Sequence, residues 1–388
     1  MNHFPVWPKY EQDEIDLVIE ILRTGKTNAW VGDHVRKFEI EFANYICMPH
    51  ALAVCNGTLA LELALFCLNI DLQDEVIVPS KSYIATASSV VMRGANPIFA
   101  DIDINTQNIT LDSIKKVITD KTKCIVVVHL GGYPCEMDEI CDFVKKNNLF
   151  LIEDCAQAHG AEYKQQKVGS FGDASIFSFC QDKIISTGGE GGMLLLKNKV
   201  AWEKGWSFRD HGKNYEIMKN AADNQGFSWP HTSIGTNWRM TEMQAAIGRL
   251  QLKKLPEWLK KRRDNAYYLL EKLSKLDCIS IPKFPSYIDH SFYRVYVRIN
   301  IDQLKPAWDK NKIIIEINKL GVPCYQGSCN EIYREKAFGM NNNSSVTAPN
   351  AKSLEETSIC FLCHPTLNLS DMDSMAETIL KILTIASK

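Results

Sequence analysis

Nowhere in the chain do the apolar residues run close to the roughly 20 in succession that a bilayer-spanning helix needs. The opening stretch MNHFPVWPKYEQDEIDLVIEI also lacks an apolar signal core behind a basic start. These absences predict a cytoplasmic protein with no membrane partner. Charge of a single sign is missing as well: 44 Lys plus Arg stand against 46 Asp plus Glu, and no five like charges follow one another. That balance offers no electrostatic ground for binding nucleic acid, so any charge on a substrate must be met by local side chains. Internal repeats and low-complexity segments are absent, and a hydrophobic content of 45% excludes intrinsic disorder.

Cysteine is not scarce, but its 13 copies are odd in number and scattered, which argues for reduced, largely buried thiols and against a disulfide framework. One cluster, Cys360-Phe361-Leu362-Cys363-His364, has the spacing of a covalent haem attachment or of half a zinc site. Haem attachment needs an oxidising compartment and zinc needs a second ligand pair. Ile359, Phe361 and Leu362 fit an ordinary buried strand, and no metal is expected.

A length of 388 residues fits one large and one smaller domain. Short apolar runs at Glu75–Val78, Pro97–Ala100, Cys124–Val128, Leu149–Ile152, Ala174–Phe179 and Met193–Leu196 alternate with helical patterns at about Glu11–Arg23, Leu59–Leu68, Ser113–Ile118 and Met137–Lys146. That alternation predicts an α/β domain with a mostly parallel sheet. A polar region from Asp210 to Thr236 precedes a helical pattern from about Thr241 to Leu273, with an interruption expected near Pro256. Beyond it, a strand within Phe292–Ile299, a helix at Ile313–Leu320 and a strand at Ser358–Leu362 predict a smaller α+β domain. The expected boundaries are 1–255 for the large domain and 256–388 for the small one.

Three stretches carry chemistry. Asn56-Gly57-Thr58 follows an apolar run and opens a helix, an arrangement that suits an anion at the helix N-terminus or a plain N-cap and turn. Glu153-Asp154-Cys155-Ala156-Gln157 places two carboxylates at the carboxyl end of a buried strand, the edge where α/β sheets bind ligands. Such an acid either makes a structural ion pair or holds a heterocyclic nitrogen protonated and turns the ring into an electron sink. Lys183, between the strand ending at Ser178-Phe179 and the stretch Thr187-Gly188-Gly189-Glu190-Gly191-Gly192, is either a surface charge or a partly desolvated amine suited to Schiff-base chemistry. The glycines equally suit a hairpin turn.

In this order the three stretches resemble the pyridoxal 5′-phosphate (PLP) enzymes of fold type I and, more narrowly, the DegT/DnrJ/EryC1/StrS family of sugar-nucleotide aminotransferases. The resemblance spans nearly the whole chain. It includes Trp30-Val31-Gly32 with Phe38-Glu39, Asn56-Gly57-Thr58-Leu59-Ala60-Leu61, Asp74-Glu75-Val76-Ile77-Val78-Pro79, Glu153 to Gln157, Ser178-Phe179, Gly189-Glu190-Gly191-Gly192, and Asn237-Trp238-Arg239-Met240 with Gln244-Ala245-Ala246. It implies a large domain with a mostly parallel seven-stranded sheet flanked by helices, and a smaller C-terminal α+β domain. It further implies that Lys183 carries the cofactor and moves protons, Asp154 pairs with the ring nitrogen and Gln157 contacts the ring hydroxyl. Tyr83 would stack on the ring, and Gly57, Thr58 and Ser178 would hold the phosphate. Asn237 would reach the phosphate from a neighbouring subunit, which makes a homodimer the functional unit. His129 either belongs to the pocket or is a satisfied core histidine, and Arg239 either contacts substrate or pairs with Glu242.

A branch of the family has histidine in place of the lysine and removes a sugar hydroxyl; Lys183 favours transamination. The resemblance implies L-glutamate as donor and, as acceptor, a nucleotide-linked 4-keto-6-deoxyhexose, most simply dTDP-linked, giving a 4-amino-4,6-dideoxy sugar for surface polysaccharide such as lipopolysaccharide O-antigen. A 3-aminotransferase would share the same cofactor residues, while a PLP-sensing regulator would need a DNA-binding module and a basic patch. Candidates for the substrate are Lys26, Trp30, Arg209, His211 and Arg239. The stretch Asp210–Gly235, bearing Trp229, Pro230 and His231, is long enough for a lid or binding element.

Overall fold

The computed structural model describes residues 4–220, 229–338 and 346–388. Its helices are α1 (Gln12–Thr24), α2 (His34–Ile46), α3 (Gly57–Cys67), α4 (Ala85–Met92), α5 (Leu111–Lys115), α6 (Met137–Lys146), α7 (Lys199–Arg209), α8 (Tyr215–Asn220), α9 (Glu242–Leu273), α10 (Lys310–Lys319), α11 (Pro349–Thr357) and α12 (Leu369–Ala386). Seven strands, β1 (His50–Val54), β2 (Glu75–Pro79), β3 (Asn96–Ala100), β4 (Thr122–Val128), β5 (Phe150–Asp154), β8 (Ala174–Ser178) and β9 (Gly192–Leu196), form one sheet, whereas β6 (Glu162–Tyr163) and β7 (Gln166–Lys167) lie outside it. The remaining strands are β10 (Ile279–Ser280), β11 (Ile288–Asp289), β12 (Val295–Ile299), β13 (Cys324–Tyr325) and β14 (Ser358–Phe361).

The large sheet has the order β1-β9-β8-β5-β4-β2-β3, and only β9 runs against the others. Strands such as Cys124-Ile125-Val126-Val127-Val128 are apolar throughout because both faces of a parallel sheet are covered. Strand alternation divides them. Leu52 and Val54 join the core around α3, whereas Ala51 and Ala53 join Phe38, Phe42 and Leu255 from α2 and α9. In α3 nearly every side chain is apolar, and the helix is buried between β8, β9, α4 and α7.

A second, antiparallel sheet of order β10-β12-β14-β13 packs on α10 and α12. Val295, Val297 and Ile299 of β12 fill its core together with Ala266, Leu269, Leu270 and Leu273 of α9. The interruption expected near Pro256 does not occur: α9 is continuous for 32 residues. Leu255 and Leu259, on either side of the proline, are buried in the core, and that packing holds the turn that loses one backbone hydrogen bond. The boundary expected at 255/256 falls inside this helix, which packs on α1 and α2 as well as on α12.

Cys360 lies in β14 and Cys363 just after it, both buried, as an ordinary strand predicts. Among the described residues, none of the side-chain groups close enough to share a metal ion includes them or His364. No helix of the described residues is long and apolar enough to cross a membrane.

Three buried histidines make the fold acid-sensitive. Burial pushes His159, His290 and His364 down from the ordinary 6.5 to about 3, and for His159 the nearby Lys183 acts in the same direction. The unfolded chain therefore binds protons between those values that the folded chain refuses, so stability rises with pH and is lost as pH falls below 6.5 toward about 3. Each group withdraws up to about 1.4 kcal/mol per pH unit in that window. Calorimetric melting of the protein from about pH 7 to about pH 4 should show a steadily falling Tm. A flat profile would contradict neutral burial of these rings.

Candidate active site

The carboxyl ends of β5 and β8, the N-terminus of α3 and the turn Cys180–Lys183 converge on one cavity of about 800 Å³. Asn56 caps α3 by accepting the Leu59 N–H at 2.9 Å, which leaves the N–H groups of Gly57 and Thr58 at the helix start without an intrahelical acceptor. Gly57 is dictated by space: a Cβ there would lie 2.7 Å from the Ser178 Cβ. Gly192, the first residue of β9, lets the same strand pass under Asn56. Thr58, Ser178 and Gly57 thus line one wall together.

The two acids of β5 have different fates. Glu153 points into the protein and accepts N–H groups from Gly169, Phe171 and Gly172 at 2.7 to 2.8 Å. It also meets His129 Nε2 at 3.1 Å, while His129 Nδ1 accepts from the Cys135 N–H at 3.0 Å, so His129 is a satisfied core histidine. Asp154 lines the cavity instead. Its carboxylate accepts from the Thr86 hydroxyl and the Ala156 N–H, each at 3.1 Å. Burial pushes the Asp154 carboxyl up, against these hydrogen bonds and the charge of Lys183, so the site favours a cation beside it.

Gln157 accepts the Gly131 N–H at 2.7 Å and reaches the Ser328 hydroxyl at 3.4 Å, which fixes its amide at the cavity wall. Lys183 lies 3.8 Å from Asp182 and over the Tyr293 ring at 4.7 Å, with its side chain 17% exposed. Its carbonyl accepts from the Trp7 indole at 2.7 Å, anchoring the turn. Tyr83 lines the same cavity and is largely exposed at its rim.

Other expected residues are elsewhere. Arg209 is a correction: it is buried, bonded to Glu39 and to the Ala53 carbonyl, and so supports β1 instead of meeting substrate. Arg239 pairs with Asp210 and not with Glu242. Glu242 is taken up by the backbone N–H groups of His34 and Val35 at the start of α2. Lys26, His211 and Asn237 are exposed and, like Trp30, stand outside this protomer's cavity wall. Lys213 sits 4.0 Å over the Trp30 ring. Residues 221–228 of the expected lid lie outside the described residues. Its described ends are paired, with Asn214 donating to the Pro230 carbonyl at 2.7 Å and Thr232 to the Gly212 carbonyl at 2.9 Å.

The second sheet supplies cavity residues that sequence reasoning missed: Tyr293, Arg294, Tyr296, Tyr325 and Ser328. A signal was present. In β12 the alternate residues Val295, Val297 and Ile299 face the core, so Arg294 and Tyr296 face away from it, toward the cavity.

A sequence model of the DegT/DnrJ/EryC1/StrS aminotransferase family matches residues 8–380. The chain belongs to that family. An aminotransferase from Psychrobacter cryohalolentis, solved by X-ray crystallography, matches with a TM-score of 0.96 and 46% identity over 99% of this chain and 100% of that one. GDP-perosamine synthase of Escherichia coli O157:H7 is 38% identical over 301 residues, 76% of this chain and 78% of its own. The dTDP-3-amino-3,6-dideoxy-alpha-D-galactopyranose transaminase of Aneurinibacillus thermoaerophilus is 37% identical over 75% of this chain and 76% of its own.

This DegT/DnrJ/EryC1/StrS enzyme is therefore a PLP-dependent sugar-nucleotide aminotransferase of fold type I. The cavity fits the cofactor: N–H groups at a helix start suit a phosphate, and a buried carboxyl without an ion-pair partner among the described residues suits a ring nitrogen. Gly57→Ala tests the cradle. Overpacking against Ser178 should cost about 1–3 kcal/mol of stability and release the cofactor on dialysis, read by its visible absorbance. Full retention by the variant would contradict a phosphate at Gly57.

Proposed function

We propose that the protein transfers the amine of L-glutamate to a nucleotide-linked 4-keto-6-deoxyhexose, in the first instance the dTDP-linked sugar, giving a 4-amino-4,6-dideoxy sugar for surface polysaccharide such as O-antigen. The observation that carries this reading is the convergence of Lys183 and Asp154 on one cavity. PLP supplies an electron sink for electrons released at the substrate Cα. In this reading Asp154 holds a proton on the ring nitrogen and Gln157 donates to the ring hydroxyl. Gly57, Thr58 and Ser178 bind the phosphate, and Tyr83 covers the ring and excludes water. Lys183 would hold the cofactor and would serve as the base and acid that moves the proton at the substrate Cα. The two half-reactions are the same steps in opposite directions.

The relative named GDP-perosamine synthase favours a second reading, with a GDP-linked acceptor. Mass spectrometry after incubation with PLP, L-glutamate and either dTDP- or GDP-4-keto-6-deoxyhexose decides between them. A product in which the ketone oxygen is replaced by an amine establishes the 4-aminotransferase and its nucleotide. A product that has lost a hydroxyl and gained no nitrogen would overturn it in favour of a dehydratase, and amination of a 3-keto isomer alone would move the carbon.

The same reading makes the enzyme a cytoplasmic homodimer in which Asn237 of one protomer reaches the other's phosphate, with Lys26, Trp30, His211 and Arg239 also serving the neighbouring cavity. Their position outside the cavity of their own chain supports this. Mixing inactive Lys183→Ala and Asn237→Ala subunits should then restore part of the activity, because one of the two hybrid sites is intact. No recovery after subunit exchange would place Asn237 in its own protomer's site or in none.

A further inference from the structure

We propose that Arg294 is the residue that grips a carboxylate of the amino donor, a role that rests on the donor assignment above. Among the described residues, the cavity wall holds two cationic side chains, Lys183 and Arg294. In the proposed function Lys183 serves the cofactor and proton transfer, so Arg294 is the one remaining cation that this protomer's own described wall offers an entering carboxylate.

The wall as a whole carries three acids, Asp154, Asp182 and Glu190, against two cations, but beside Arg294 the cations outnumber the acids. Asp182 stands 3.8 Å from Lys183 Nζ through one oxygen and 3.3 Å from Arg294 Nη2 through the other. One carboxylate thus faces two cations, while its second oxygen is shared with the Tyr293 hydroxyl. The other acids of the wall are engaged elsewhere: Asp154 with Thr86 and Ala156, Glu190 at the exposed rim beside Cys180.

The geometry also favours arginine chemistry. A guanidinium has five N–H donors in a planar fork that matches a carboxylate, and the bond to Asp182 uses one of them. Its guanidinium carbon lies 5.0 Å from the centre of the Tyr293 ring and 5.3 Å from that of the Tyr325 ring, contacts that restrain the fork before substrate arrives. Arg294 immediately precedes β12 and Tyr325 ends β13, whereas the phosphate cradle comes from α3 and β8, so donor and cofactor anions are met by different elements.

A diphosphate would present the same anionic oxygens, and calorimetric titration of the holoenzyme separates the two. Glutarate, which has carboxylates but no amine, reports on the grip; dTDP reports on the sugar-nucleotide end. In Arg294→Met glutarate should bind at least tenfold more weakly than in wild type, with dTDP within twofold of wild type. Arg294→Lys, which keeps the charge and loses the fork, should fall between and guards against misfolding, and cofactor absorbance confirms an assembled site in both variants. Unchanged glutarate affinity, or an equal loss for dTDP, would overturn the proposal. Amine transfer from L-glutamate to the wild-type holoenzyme reads the donor assignment separately, so either can fail without the other.

Discussion

Lys183→Ala should bind cofactor without the visible band of the lysine-cofactor bond and should lose turnover by at least about 10³-fold, since under the proposed mechanism it forfeits both the covalent attachment and the proton carrier. The fold should survive. Beyond its backbone, Lys183 contributes a 3.8 Å contact to Asp182 and a position over the Tyr293 ring, both at the wall of the cavity. Its carbonyl bond from Trp7 is unaffected by the side chain. Circular dichroism and melting temperature would establish the intact fold, and absorbance with single-turnover assays would read the chemistry. Turnover at the wild-type rate would remove Lys183 from the mechanism and with it the distinction from sugar dehydratases. Added small amines should restore a fraction of the rate, because an amine diffusing into the emptied space can move the same proton.

The strands of the large sheet are legible in the sequence because burial on both faces demands continuous apolar runs, and β4, β5 and β9 begin and end within two residues of those runs. The residues at their ends are legible for a related reason. A carboxylate at the close of an apolar strand, as at Asp154, has no packing role to explain it. What escapes is partnership at long range. Arg209 stands in a polar motif and so resembles a free cation, yet its partner Glu39 is 170 residues away and only the fold shows that the pair is buried. Glu242 illustrates the same limit: its backbone donors at His34 and Val35 leave Arg239 to Asp210. The wall formed by Arg294, Tyr296 and Tyr325 belongs to this class too, since alternation identifies the core face of β12 while the opposite face acquires meaning only when the two sheets meet. Pro256 shows the opposite error. A local rule predicts a break, and tertiary packing of Leu255 and Leu259 overrides it.

Asp154→Asn isolates the electrostatic half of catalysis. Asparagine has nearly the same shape: its carbonyl oxygen can accept from the Ala156 N–H while its amide NH2, in the place of the other oxygen, donates to the Thr86 hydroxyl, so geometry is kept while the charge is removed. In the protein without cofactor that charge is costly: burial raises the Asp154 carboxyl above its usual range. The variant should therefore be as stable as wild type or more so when cofactor is absent, and stripped protein should show it as an unchanged or higher Tm. With cofactor the sign reverses if, as proposed, this buried anion, 8% exposed, keeps the ring nitrogen protonated. Loss of one such preorganised electrostatic contact costs about 10²–10³ in kcat, and the variant's visible spectrum should show a neutral ring nitrogen. A loss confined to KM would instead make Asp154 a binding group. If stripped Asp154→Asn protein were also markedly less stable, the carboxylate would have a structural partner and the cation it awaits would not be the cofactor.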